Sequence, residues 1–236
     1  MNGRLILFPV PIGPEAIDAS LPAVNCALLA SCRTFIVEEV RTARRFLKRA
    51  GYPHAIDDTV FLILNEHTAP DQIGDYLSAI DRGEDIGLLS EAGLPCVADP
   101  GAMIVREAQQ RGIEVVPLVG PSSLMLALMA SGFNGQSFAF AGYLPVDRGQ
   151  RADTLRRLEE RLRREHQTQL FIEAPYRNNQ MLETLCTVLH ADTKVCVACD
   201  LTMPTQYIRT APVRRWRSER THIDLHKRNT VFLIGE

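Results

Sequence analysis

The chain has 236 residues, of which 46% are hydrophobic and 23% charged, with a formal net charge of −2. That is the composition of a soluble globular protein with one large domain or two small ones. No apolar run is long enough to cross a bilayer, and the short run at residues 5–10 lacks a signal-peptide cleavage pattern, so a cytoplasmic protein without membrane contact is expected. Six cysteines, scattered at positions 26, 32, 96, 186, 196 and 199, are too sparse for a disulfide framework.

Leu5-Ile6-Leu7-Phe8 is a continuous apolar run, as in a strand buried on both faces. It ends in Pro9-Val10-Pro11-Ile12-Gly13-Pro14, which cannot be helix. Helical spacing follows over residues 21–31, then a strand over 34–37 that ends at Glu38-Glu39. A basic helix over 41–50 is closed by Gly51. A strand over 60–64 leads into Asn65-Glu66-His67, and a helix is expected over 71–80. The strand at 86–89 runs into Ser90-Glu91-Ala92-Gly93-Leu94-Pro95. Asp99-Pro100 then reads as a helix start, with Asp as N-cap and Pro at the first helical position. That helix runs to Arg111 and stops at Gly112, before a strand over 113–118. Strands alternating with helices predict a mostly parallel sheet covered on both faces.

Val119-Gly120-Pro121-Ser122-Ser123 breaks the pattern and marks a domain boundary, giving α/β domains over 1–118 and 119–236. Helices are expected over 124–130, 151–166 and 178–189. Strands are expected over 137–141, 169–173, 194–199, 206–210 and 230–234. The last three strands follow one another with little helix between them, so they should pair antiparallel in a mixed sheet. Cys196 and Cys199 have a metal-like spacing, but on a strand residues three apart point to opposite faces, and no metal is expected.

Residues 1–143 carry 10 basic and 16 acidic side chains, whereas residues 144–236 carry 16 and 12. The basic second half could face a polyanion, with Arg214-Arg215-Trp216-Arg217 as one cluster, or could alternate charges on solvated helix faces. No Gly-x-Gly, Gly-Lys or His-Glu-x-x-His occurs, which removes the dinucleotide fingerprint, the P-loop and the zinc-hydrolase motif. What remains is a set of polar turns at strand ends. In a parallel sheet these ends point the same way and line one crevice.

The order Pro11-Ile12-Gly13, Glu38-x-x-Arg41, Ser90 to Pro95, Asp99-Pro100-Gly101, Gly120-Pro121-Ser122, Gly142-Tyr143-Leu144-Pro145 and Glu173-Ala174-Pro175-Tyr176-Arg177 resembles the tetrapyrrole methylase superfamily. It is most similar to the branch that methylates a ribose 2′-oxygen on small-subunit ribosomal RNA. The resemblance covers nearly the whole chain. It implies an S-adenosylmethionine-dependent methyltransferase of two α/β domains, with the cofactor in a cleft between them, RNA as partner and a homodimeric state. The cofactor residues implied are Pro11, Ile12, Gly13, Ser90, Glu91, Ala92, Gly93, Pro95, Gly120, Ser122, Ser123 and Ile172. Departures from the family pattern include Pro14 for Asn, Glu91 for Asp and Met203 for a Lys in Asp200-Leu201-Thr202-Met203.

Methyl transfer from a sulfonium needs the acceptor oxygen, methyl carbon and sulfur in line. Such positioning can supply roughly 7–11 kcal/mol, and a general base adds about 10²–10⁴-fold. Glu38, Glu66 and Glu173 are the candidate bases, and Arg41 and Arg177 the candidate phosphate grips. Two other readings stay open: a tetrapyrrole precursor as acceptor, or a non-catalytic module that binds S-adenosylmethionine or RNA.

Overall fold

A computed structural model describes every residue except Met1, Asn2, Ala16, Glu66, His67 and Ala69, and only the backbone of Pro70 and Asp71. The chain divides into two compact units, Met1–Ser122 and Ser123–Glu236.

The first unit runs β1 (Leu5–Phe8), α1 (Ile17–Ser20), α2 (Ala23–Leu29), β2 (Cys32–Val37), α3 (Val40–Arg49), β3 (Val60–Ile63), α4 (Ser78–Asp81), β4 (Asp85–Leu89), α5 (Ala102–Gln110) and β5 (Val115–Pro117). Its five strands form a parallel sheet in the order β3-β2-β4-β1-β5. Leu5 lies opposite both Ile86 and Val115. Side chains alternate between the faces, as strand geometry requires. Ile6 and Phe8 join Phe35, Phe46 and Leu47 on one side, and Leu5 joins Ile36, Ile86, Leu88 and Ile104 on the other. With helices over both faces, each fully buried Leu, Ile or Phe contributes roughly 1.5–3 kcal/mol by leaving water. At the N-terminal end of the sheet the Arg4 guanidinium forks onto Asp85, donating at 3.2 and 2.6 Å, and ties β1 to β4.

Two expected helix features differ. Residues 71–80 do not form one α-helix. A 3₁₀ run occupies Pro70–Leu77 and only Ser78–Asp81 is α-helical; Gly74, in the middle of the run, weakens continuous helix. Asp99 is not the N-cap of α5. That place belongs to Gly101; the Asp99 carboxylate stands two residues earlier and accepts the N–H groups of Cys96 behind it and Gly101 ahead of it, at 2.8 and 2.9 Å.

The second unit runs α6 (Ser123–Ser131), β6 (Phe138–Tyr143), α7 (Arg148–Glu165), β7 (Thr168–Ile172), α8 (Asn178–Val188), β8 (Lys194–Cys199), β9 (Tyr207–Pro212), α9 (Val213–Glu219) and β10 (Thr230–Gly235). The sheet order is β6-β7-β10-β8-β9. Only β6 and β7 pair in parallel; β7–β10, β10–β8 and β8–β9 are antiparallel. The first sheet is thus parallel and the second mixed, as the pattern of elements predicts. Cys199 packs on the face covered by α7, α8 and α9, and Cys196 on the face covered by α6, so the two thiols lie on opposite sides of β8. No helix among the described residues is long and apolar enough to span a membrane.

Candidate functional site

In the first sheet β2 and β4 are neighbours, yet β2 connects to β3 on one side and β4 to β5 on the other. Connections that diverge from adjacent strands leave a crevice beyond the carboxyl ends, where open α/β sheets bind ligands. A small hollow of about 10 Å³ lies there, with room for little more than a water molecule, lined by residues of β2 and β4 together with Glu38, Leu64 and Asp99-Pro100-Gly101.

Glu38 follows β2 and is half-buried. Burial pushes its carboxyl above the usual carboxylate range, and the charges of Asp99 and Glu91 push it the same way. Glu38 after β2 and Asp99 in the loop before α5 line the same hollow, and Glu91 after β4 is near enough for its charge to act on Glu38. The loop itself is strained: Cys96 and Ala98 sit at φ 67° and 62°, a left-handed conformation that costs roughly 1–2 kcal/mol per non-glycine residue. The two hydrogen bonds to Asp99 hold it there, and such strain collects at ligand sites. Burial, with Asp99 adding to it, raises the Cys96 thiol to about 11, so it stays protonated and unreactive at neutral pH.

Beside this hollow the expected cofactor segments meet. Val10 and Gly93 form an isolated antiparallel bridge, which ties the turn after β1 to the turn after β4. Gly93 has φ +74°, and a Cβ there would stand 3.3 Å from the carbonyl oxygen of Pro121 and 3.9 Å from the side chain of Ile12. Gly120 lies so close to Pro9 that a Cβ would come within 2.2 Å of the ring. Three segments far apart in sequence, Pro11–Gly13, Ser90–Gly93 and Gly120-Pro121, thus converge on one glycine. Pro11, Ser90, Gly93 and Pro95 are buried, Ile12, Gly13, Gly120, Ser122 and Ser123 half-buried, and Glu91 and Ala92 exposed.

Some groups expected to face a ligand are already engaged. The N–H and C=O of Gly93 are both bonded to Val10, at 3.1 and 3.0 Å. The Ser90 hydroxyl donates to the Ala92 carbonyl and accepts the Ala92 N–H. Glu15, which the sequence did not single out, accepts the Ile12 N–H with one oxygen; its other oxygen is buried with no partner among the described residues. An orphaned acceptor behind Pro11–Gly13 and a cradle that a Cβ would fill fit a polar ligand held against backbone.

In the second unit Ile172 ends β7 and Glu173 follows it, fully buried. One oxygen of Glu173 accepts the Ala174 N–H at 2.7 Å and two N–H groups of Arg177 at 3.0 and 2.6 Å. Arg177 is therefore committed to Glu173 within the chain, and it also donates to the Tyr176 hydroxyl. The Arg214 to Arg217 cluster is likewise spent. It lies on α9, which the sequence did not reveal, with Arg214 paired to Asp192 and Arg215 to Glu219. Trp216 is buried and donates to the Val195 carbonyl, and Arg217 donates to the Cys186 carbonyl. Glu66 lies outside the described residues. No group of metal-ligating side chains occurs among the described residues.

A hollow of about 1290 Å³ opens at the opposite, N-terminal end of the first sheet, beside Arg4, Asp81, Asp85 and Arg111. Arg4 and Arg111 are paired there with Asp85 and Asp81, and the hollow lies away from the strand ends that bind ligands in such sheets.

The family described as Tetrapyrrole (Corrin/Porphyrin) Methylases matches residues 18–215. A protein of Mesorhizobium japonicum named Ribosomal RNA small subunit methyltransferase I is 35% identical over 235 residues, covering 100% of this chain and 76% of that one. Among solved structures, the methyltransferase CobJ superposes with a TM-score of 0.64 at 18% identity, covering 99% of this chain and 94% of the other. The uroporphyrin-III C-methyl transferase of Thermus thermophilus, complexed with S-adenyl homocysteine, does so with 0.56 at 17% identity, covering 99% and 98%. At such identities the structural likeness bears on the fold. The chain belongs to the tetrapyrrole methylase family and is a methyltransferase.

Proposed function

We propose that the protein transfers a methyl group from S-adenosylmethionine to a ribose 2′-hydroxyl of small-subunit ribosomal RNA. The observation that carries this reading is the 35% identity, across this whole chain, to a protein named for that ribosomal subunit. Support from the site is the meeting of Pro11–Gly13, Ser90–Gly93 and Gly120-Pro121 at Gly93. Ser122, Ser123, Pro95 and Ile172 complete the proposed cofactor set.

The cofactor supplies a methyl carbon on a sulfonium, which leaves as a neutral thioether. The chain must hold the acceptor oxygen in line with that carbon and exclude water, worth roughly 7–11 kcal/mol. The hydroxyl proton needs somewhere to go, and Glu38 is the proposed acceptor: its raised carboxyl, at the rim of the crevice, is a better base than an ordinary carboxylate. Arg41, three residues on, is proposed to hold the adjoining phosphate. Glu173 and Arg177, locked to each other, act by shaping the second unit's strand end. Glu66 remains a candidate base. The protein is proposed to act in the cytoplasm as a homodimer, the commonest symmetric assembly.

The test uses the product's chemistry. A free 2′-hydroxyl attacks its own phosphate in alkali and a methylated one cannot. Ribosomal RNA incubated with enzyme and methyl-labelled cofactor should yield an alkali-resistant, labelled dinucleotide. Label on a base or a tetrapyrrole would refute the ribose assignment. Cofactor binding without transfer to any acceptor would favour the non-catalytic reading.

A further inference from the structure

Half of the ten basic side chains in residues 1–143 fall between Arg41 and Arg49, on α3. Ala43, Phe46 and Leu47 face the core. Arg41, Arg44, Arg45 and Lys48 are all exposed, and their spacing of three, one and three residues puts them on one face. They line a groove of about 360 Å³ with Glu39 and Val40.

What sets this stripe apart is that its own helix supplies no counter-charge. On α7, Arg156, Arg163 and Arg164 pair with Asp153, Glu159 and Glu160 one turn away. On α9, Arg214 and Arg215 are paired, and Arg217 is bonded to a carbonyl, as described. α3 contains no acidic residue. Its single ion pair among the described residues is Arg44 with Asp57 at 3.7 Å, and Asp57 is 93% exposed, a contact worth little. Glu39, at the helix start, is occupied as the N-cap, accepting the Arg41 N–H at 3.0 Å. Arg49 alone turns away, donating to the carbonyls of Pro14 and Glu15.

We infer that the Arg41-Arg44-Arg45-Lys48 face of α3 is where the sugar-phosphate backbone of the RNA acceptor docks. The inference rests on the RNA reading above and gives it a location. The stripe begins three residues after Glu38 and runs about 11 Å along the helix, so a strand lying on it passes the rim where the proposed base sits. Arg41, Arg45 and Lys48 have no ion pair among the described residues to give up when they meet phosphate, and Arg44 gives up only its exposed contact with Asp57 while it lies 5.7 Å from the centre of the Phe61 ring; each cation that meets phosphate releases condensed counterions.

The test is filter binding of radiolabelled small-subunit ribosomal RNA, transcribed in vitro, to the full-length protein across a range of salt concentrations. The triple variant Arg44→Ala/Arg45→Ala/Lys48→Ala should bind roughly tenfold or more weakly at low salt, with a log K against log salt slope shallower by about 2–3. Its affinity for S-adenosylmethionine, measured by calorimetry, should be unchanged. The charge-keeping variant Arg44→Lys/Arg45→Lys should retain the wild-type slope. If the wild type binds RNA with a steep slope and the alanine variant matches it, the α3 site is overturned while the RNA reading survives. A lysine variant as shallow as the alanine variant also overturns it. If the wild type shows no salt-dependent RNA binding, both fall together.

Discussion

Val10 and Gly93 exchange two backbone hydrogen bonds, one in each direction, and so join the turns that follow β1 and β4. The bridge fixes the φ of +74° at Gly93, which brings its Cα face against the Pro121 carbonyl. A side chain there meets both a disfavoured backbone conformation and a close oxygen. Gly93→Ala should lose about 1–2 kcal/mol of stability in urea titration. It should also weaken S-adenosylmethionine binding at least about tenfold, equal to roughly 1.4 kcal/mol, in calorimetry at a temperature where the variant is folded. Unchanged cofactor affinity in a folded variant would remove this turn from the cofactor site.

Glu38 should show opposite effects on stability and on rate. Its folded pKa lies above its unfolded one, through burial and then through Asp99 and Glu91. The ionised side chain therefore costs stability at all pH above the folded value, and the cost vanishes below the unfolded value of about 4.3. Glu38→Gln should be more stable than wild type at neutral pH, with the difference fading as the pH falls through that range. Methyl transfer should drop by about 10²-fold or more. The wild-type rate should climb with pH through the raised pKa and then level, and the variant should lack that limb. A variant with the wild-type rate and pH profile would exclude Glu38 as the base.

Arg177 tests whether its charge serves the fold or the ligand. Arg177→Ala leaves the Glu173 carboxylate buried and uncompensated, which should cost about 3–5 kcal/mol. Adding Glu173→Gln removes the buried charge and should recover much of that loss in thermal or urea unfolding. If Arg177→Ala unfolds like wild type and only RNA binding suffers, Arg177 is a phosphate ligand and the pairing with Glu173 is incidental.

Much of the architecture could be read from local pattern. Apolar runs such as Leu5–Phe8 and Lys194–Cys199 are strands with the expected bounds, because a strand buried on both faces needs continuous apolar residues. The turns at Ser90 and Pro11 were visible as glycine and proline clusters. Contacts between distant residues were not. The Arg214 to Arg217 cluster looks like a free basic patch in sequence, but Asp192 and the carbonyls of Val195 and Cys186, all contributed by earlier elements, consume it. Asp99-Pro100 carries the residue types of a helix start, yet the carboxylate is better used two and three residues away, closing a strained loop. The overall charge asymmetry pointed to the second half, whereas the helix that carries several cations and no acidic residue of its own is α3 in the first. Net charge counts residues, and pairing depends on which of them the fold brings together.

Trp216 is the chain's one tryptophan. It sits in the second unit's core with its indole N–H on Val195, so its fluorescence is a probe of that unit alone. Denaturation followed by emission reports the mixed sheet, while far-ultraviolet ellipticity sums both sheets. Any offset between the two transitions measures how far the stabilities of the units differ, and ligand added during such a titration shows which unit it holds folded.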